Sequence, residues 1–184
     1  AVVKADAGDA VVAVVYGEKL HTTDPAELQN AILTALFDHY AAEHDLDALE
    51  AEIDHFVEQT DKGMREMGLD AGDDLTAEEK AELDSMRREM GGSLIRQWKI
   101  NRALYEQYGG RIIFQQLGPE PLDAYREFLE AQRESGAFEI KDSGLAAEFW
   151  RYFTDESMHD FMEPGSPEAE RAFSTPPWER QPAG

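Results

Sequence analysis

A chain of 184 residues, 42% hydrophobic and 10% aromatic, carries enough apolar material for one folded domain and is too apolar to be disordered throughout. Thirty-nine acidic residues against seventeen basic ones leave a formal charge of −22, a field that repels phosphate backbones and anionic membranes, so nucleic acid is not an expected partner. The absence of cysteine removes disulfides, thiolate metal sites and cysteine nucleophiles, and no window approaches the ~18 apolar residues that would insert into and span a bilayer.

Val11 to Val15 is short, apolar and β-branched, which predicts a strand, with Tyr16-Gly17-Glu18 as the turn before Lys19 and Leu20. Asp24 is placed to cap a helix with Pro25 in its first turn. Leu28, Ile32, Leu36 and Tyr40 recur every four residues beyond it, predicting a first helix over 25–44. A second helix is expected from near Asp47, carrying Leu49, Ile53, Phe56 and Val57 inward and running toward Met64 and Met67. Gly68, Asp70, Gly72, Asp73 and Asp74 should end it in an acidic loop. Thr76 and Glu79 have capping-box spacing and open a third helix through Leu83, Met86, Met90, Leu94, Trp98 and Tyr105. Gly91-Gly92 lies within that run and, at ~1 kcal/mol per glycine relative to alanine, is expected to kink or divide it.

Past Gly109-Gly110, Arg111 to Phe114 is apolar and short, which suits a strand or an extended segment. Gly118-Pro119-Glu120-Pro121 reads as a rigid turn, and Pro121 opens a helix that holds Leu122, Tyr125, Phe128 and Leu129 and stops at Gly136. Ala137 to Lys141 predicts a brief strand. Ser143 is placed to cap a last helix with Leu145, Phe149, Trp150, Phe153, Phe161 and Met162, whose weak point is Asp155 to Ser157. Five prolines among the last twenty-two residues mark 163–184 as a Pro-rich tail, either loose or ordered by contact. The expected architecture is mainly α: one helical domain over 1–162 with a small β element near the N-terminus, then the tail.

The order of strand, glycine turn and Asp-capped helix from Val11 to Pro25 resembles the N-terminal domain of the SurA and PrsA family of exported folding chaperones. The same likeness extends through the helix end Tyr40-Ala41-Ala42-Glu43-His44-Asp45-Leu46 and the acidic helix Leu49 to Val57. Tyr16 stands where that family usually has Asn. The resemblance covers residues 10 to about 114, whereas 115–184 are not family-like. It implies a SurA N-terminal-like fold, similar to the client-binding region of trigger factor, with an apolar groove for unfolded chains. It also implies a periplasmic location and a distal segment, here 144–162, that returns to complete the helical domain. Ala1 in place of Met fits either an export signal that has been removed or a trimmed start. Many relatives add a parvulin prolyl isomerase domain of about 90 residues. The part after Phe114 is too short for one, reads mainly helical and lacks the His pairs of that site, so no catalytic residues are expected.

A chaperone of this kind needs apolar surface open to a client and framed by charge that prevents self-association. The candidate peptide-binding residues are Trp98, Tyr105 and Tyr108 on the long helix, Phe114 after it, and Trp150, Tyr152 and Phe153 near the end. Phe149, Trp150, Tyr152 and Phe153 cannot all face one core from one helix, because successive residues point ~100° apart. The expected function is therefore non-catalytic capture of unfolded or extended polypeptide in the periplasm, without ATP or any cofactor, in a groove between the long helix and the C-terminal helix.

Three rivals stay open: a prolyl isomerase with an unrecognised site, a periplasmic metal-handling protein, and an assembly factor dedicated to one partner. For metal, His39 and Glu43 have helical ligand spacing, His55 has Glu52 and Glu58 within a turn, and Met158, His159 and Met162 resemble a soft copper-binding trio. No HExxH motif occurs, and Asp70, Gly72, Asp73 and Asp74 lack EF-hand spacing, so no metal ligands are assigned. No Gly-rich phosphate loop and no Gly-x-Ser-x-Gly elbow is present.

Overall fold

Val12, Ala13 and Val15 are buried because they lie in and beside the central strand of a three-stranded antiparallel sheet. In the computed structural model, which describes residues 10–69 and 74–180, strand β1 (Ala13–Val15) is flanked by β2 (Glu18–Leu20) and β3 (Phe138–Ile140). Ala13 pairs with Leu20 on one side and Ile140 on the other, so a distant segment closes the N-terminal hairpin into a sheet. Tyr16 and Gly17 both have positive φ, 46° and 80°, the geometry of a type I′ turn whose twist matches the flanking strands. The Tyr16 ring stands 4.5 Å, centroid to centroid, from His39 on the first helix.

That helix, α1 (Pro25–Glu43), is capped by the Asp24 carboxylate, which accepts the Glu27 N–H at 2.9 Å. Its buried face holds Leu28, Ile32, Leu36, Phe37, Tyr40 and Ala41. The main core closes over this face with α4 (Leu122–Glu134), α5 (Ser143–Thr154), the sheet and the second half of the long helix α3 (Ala77–Tyr108). Phe149 and Phe153 are fully buried one turn apart on α5, while Leu104 and Ile100 enter from α3.

Between α1 and α3 runs α2 (Glu50–Glu66), and Gly91-Gly92 does not divide the run that follows: α3 is one continuous helix of 32 residues, about 48 Å at 1.5 Å per residue. Gly91 is where the two helices close. A Cβ there would lie 2.6 Å from Cδ1 of Phe56, and one on Gly92 would lie 3.5 Å from Cδ1 of Ile53. The glycines admit the Phe56 ring against the α3 backbone, and that contact offsets their low helix propensity. The Thr76 capping box forms as read, with the Thr76 N–H donating to Glu79 Oε2 at 2.8 Å and the Glu79 N–H to Thr76 Oγ1 at 3.2 Å.

Other boundaries differ from the sequence reading. Leu49 is 63% exposed because it is the residue before α2, where Glu52 Oε2 accepts its N–H at 2.8 Å. Met86 and Met90 also face solvent. Arg111 to Phe114 is extended but forms no strand; Ile113 makes isolated bridges to Glu120 and Phe161. Asp142, not Ser143, caps α5, accepting the Leu145 N–H at 2.9 Å. The helix ends at Thr154, where Asp155 accepts the Ser157 N–H and hydroxyl and starts a 3₁₀ turn. Phe161 and Met162 therefore lie beyond the helix, where the Met162 N–H donates to the Ile112 carbonyl at 2.8 Å. Of the acidic loop read between α2 and α3, Asp70, Gly72 and Asp73 lie outside the described residues.

The segment from Glu163 contains the short helix α6 (Pro167–Arg171) and a 3₁₀ turn, Pro177–Glu179. Ala172 and Phe173 join Ile112 and Met162 in a second small core against Tyr105. Among the described residues no helix is long and apolar enough to cross a membrane.

Candidate functional site

The chain leaving α3 is clamped to the first turn of α4. Gly110 has φ +87°, and a Cβ there would fall 2.5 Å from Cβ of Asp123, so glycine alone permits this approach. The Asp123 carboxylate accepts the Arg111 backbone N–H at 2.8 Å and the guanidinium at 2.9 and 3.1 Å. The same guanidinium reaches Glu156 at 2.6 Å and stacks on the Phe161 ring at 4.3 Å. Burial works to raise the pKa of Asp123, but the Arg111 contacts and the nearby Arg126 outweigh it and hold the carboxyl below its ordinary value.

This clamp, with the Ile113–Glu120 bridge, projects residues 114–119 as a loop facing α3. Its apolar side chains are displayed: Phe114 is 49% exposed and Leu117 79%. Behind it an amide network holds the floor. Gln97 Nε2 donates to Asn101 Oδ1 and to the Tyr125 hydroxyl, each at 2.9 Å; Tyr125 donates in turn to Asn101; Asn101 Nδ2 donates to the Pro119 carbonyl at 3.2 Å. Burial, with Glu120 nearby, pushes the Tyr125 pKa well up, so that hydroxyl stays a donor. Glu120 accepts the Tyr152 hydroxyl at 2.9 Å, and Tyr152 accepts from Gln115 at 2.9 Å. Burial raises the Glu120 pKa against the opposing pull of Tyr152 and His159.

Three cavities adjoin the loop and α3. The first, about 540 Å³, lies between α3 and the loop and is lined by Leu94, Gln97, Trp98, Asn101, Gln115 to Glu120 and Tyr125. The second, about 660 Å³, lies across the loop among Phe114, Gln116, Met162, Arg171, Thr175 and Pro177. The third, about 290 Å³, lies beyond Trp98 and is bounded by His55, Lys99, Pro176 and Trp178.

Of the seven aromatics singled out from the sequence, the structure brings Trp98 and Phe114 to these cavities. The others lie elsewhere. Tyr105 is half-buried against Phe173, with ring centroids 4.9 Å apart, and Tyr108 packs on the main core. Trp150 packs on Phe138, Phe149 and Phe153 beneath the Arg133 guanidinium, 4.9 Å above its ring. Tyr152 is held by Glu120, and Phe153 is 2% exposed in the core. The cavities thus face the 114–119 loop and the tail, away from the Trp150 face of α5. Leu117, the amides and Trp178 were not singled out beforehand. Gln115-Gln116-Leu117 beside a Gly-Pro turn is the one pattern that marks a displayed loop in the sequence.

The residues of the metal readings make local contacts. His39 lies 3.2 Å from Glu43 at the surface, and His55 lies 3.2 Å from Glu179 of the tail. His159 Nε2 is 2.5 Å from the Tyr152 carbonyl oxygen, Met162 is buried with Phe173, and Met158 faces solvent. Among the described residues no three His, Asp or Glu side chains are grouped to hold a metal ion.

The chain matches no protein-family model, no curated protein and no solved structure.

Proposed function

We propose that this chain is a non-catalytic holder of unfolded or extended polypeptide, working outside the cytoplasm, in the periplasm or an equivalent space, as the SurA-like resemblance implies. The observation that carries this reading is the lining of the 540 Å³ cavity: Leu94, Trp98 and Leu117 as apolar walls, Gln97, Asn101, Gln115 and Gln116 as amides, and Glu120 as its one carboxylate. In a chain with thirty-nine acidic residues this is a nearly neutral enclave. Amide side chains offer both donors and acceptors, which match a peptide backbone irrespective of its sequence. Apolar walls take aliphatic or aromatic client groups, each contributing ~1.5–3 kcal/mol when fully buried. A few such contacts, after the cost of ordering the client, give reversible binding that needs no energy source. The surrounding negative charge keeps empty copies apart.

The test is fluorescence anisotropy with a labelled, reduced and carboxymethylated polypeptide that cannot refold. Saturable binding is expected, lost or weakened about tenfold by Leu117→Asp, which alters an exposed side chain and not the core. Absence of saturable binding, or acceleration of proline-limited refolding at catalytic ratios, overturns the reading.

A further inference from the structure

The three cavities share walls. Trp98 belongs to the first and third, Glu179 to the second and third, and Gln115, Gln116, Gly118 and Pro119 to the first and second. What parts them is the loop and the chain's own tail. The Trp178 ring stands edge-on to Phe56 at 5.6 Å and to Trp98 at 6.2 Å, both at 72°, in a notch between Phe56 of α2 and Trp98 of α3. Pro176, at φ −56° and ψ 145°, enters this contact as polyproline II, and Pro177 packs over Gly118.

The hold on this segment differs from that on the residues before it. Phe173 is anchored in the second core. Among the described residues every backbone hydrogen bond from 174 to 180, and every bond made by Arg180, returns to the tail itself. Among the described residues the one polar link from this stretch to the rest of the protein is Glu179 with His55, at 3.2 Å and exposed on both sides. Among the described residues the indole N–H of Trp98 is buried with no hydrogen-bond partner, and residues 174–180 supply no acceptor to it.

We infer that the Phe56–Trp98 notch is a binding site for segments in which a proline leads into a turn carrying an aromatic residue, and that residues 175–180 occupy it as a built-in stand-in that such a segment displaces. On the holder reading above, on which this use rests, those segments belong to clients. The polyproline lead limits the entropy lost on docking, the aromatic ring supplies the buried area, and a partner carbonyl can meet the Trp98 N–H. A tail that fills the site most of the time lowers the apparent affinity for any competitor by the fraction of time the notch stands open.

The experiment uses a labelled peptide with the sequence of residues 174–180, titrated into the full chain and into W178A, with circular dichroism confirming the fold. W178A should bind this peptide about tenfold more tightly than the wild type does, and E179Q should shift affinity the same way by a smaller factor. A peptide with alanine in place of its tryptophan should bind neither chain. Equal affinity for wild type and W178A, no saturable binding to W178A, or loss of helical fold in W178A each overturns the inference, the last because Trp178 would then be a fixed part of the core. The two proposals fail separately. Unfolded polypeptide that binds while the tail peptide does not removes the notch assignment alone. A tail peptide that binds W178A while unfolded polypeptide binds neither chain supports the notch and removes the holder.

Discussion

Helices α1 and α2 follow one another in the chain, yet they are held by opposite means. The α1 helix buries six side chains in the main core and makes its attachments through Leu28, Ile32, Leu36 and their neighbours. The α2 helix buries Phe56 alone, and its seam with α3 is stitched by charge. Arg87 meets Asp61 at 2.7 Å, Arg88 meets Glu50 and Asp54 at 2.7 Å, and Lys99 meets Glu52 at 2.6 Å. Arg96 spans both regimes, reaching Asp38 on α1 and Asp47 before α2. Exposed pairs of this kind contribute ~0–1 kcal/mol each and weaken with salt, whereas burial does not. The protein therefore has a body whose stability is apolar and an arm, α2 with the first half of α3, whose attachment is mainly electrostatic, with apolar contacts of Phe56 and Ile53 at Gly91, Gly92 and Trp178. The Trp178 notch lies on that seam.

The sharpest way to break the comparison is to truncate the body. Phe149→Ala is expected to cost ~3–5 kcal/mol in urea denaturation, while Met86→Ala on the exposed face of the arm should stay within ~0.5 kcal/mol. Next comes the clamp between the site loop and α4. Asp123→Ala leaves the Arg111 N–H and guanidinium unpaired and should cost ~2–3 kcal/mol.

The pH dependence separates the two carboxylates that frame the loop. Asp123 has a folded pKa below its ordinary value, so its stabilisation is present above about pH 4 and is lost as pH falls through the depressed value. Glu120 has the opposite sign. Its raised pKa favours the fold fully below about pH 4.5, and that advantage is lost as pH rises through the raised value. Urea midpoints of D123N should accordingly lose the acid-side slope, and those of E120Q the slope above it. Unchanged slopes in both would contradict these environments.

Smaller effects belong to the arm. Gly91→Ala forces a methyl into the Phe56 ring and should cost ~1–3 kcal/mol, speeding hydrogen exchange in α2 without changing it in α1. Arg88→Ala should lower the urea midpoint slightly at low salt and leave it unchanged at 1 M, where screening has already removed the pair. A salt-insensitive arm would erase the distinction.

Local patterns carried much of the architecture. Asp24-Pro25, the Thr76 box, the every-fourth apolar run of α1 and the glycine stop after α4 act within one or two turns of backbone, so the residues alone specify mainly helical structure with a short hairpin at its start. What lay beyond their reach were choices between near-equal local outcomes. Gly91-Gly92 could break a helix or let another helix approach, and only Phe56, thirty-five positions earlier, selects the second. Aromatic residues near the end looked alike in sequence, yet Phe153 is closed into the core while Trp178 lies on the α2–α3 seam. Arg111 pairs with Asp123 because Gly110 lets two backbones meet, a coincidence in space that no spacing announces. Helix identity is a short-range property of the chain, whereas a cavity is a gap between surfaces from distant segments, and its lining is settled only when those surfaces pack.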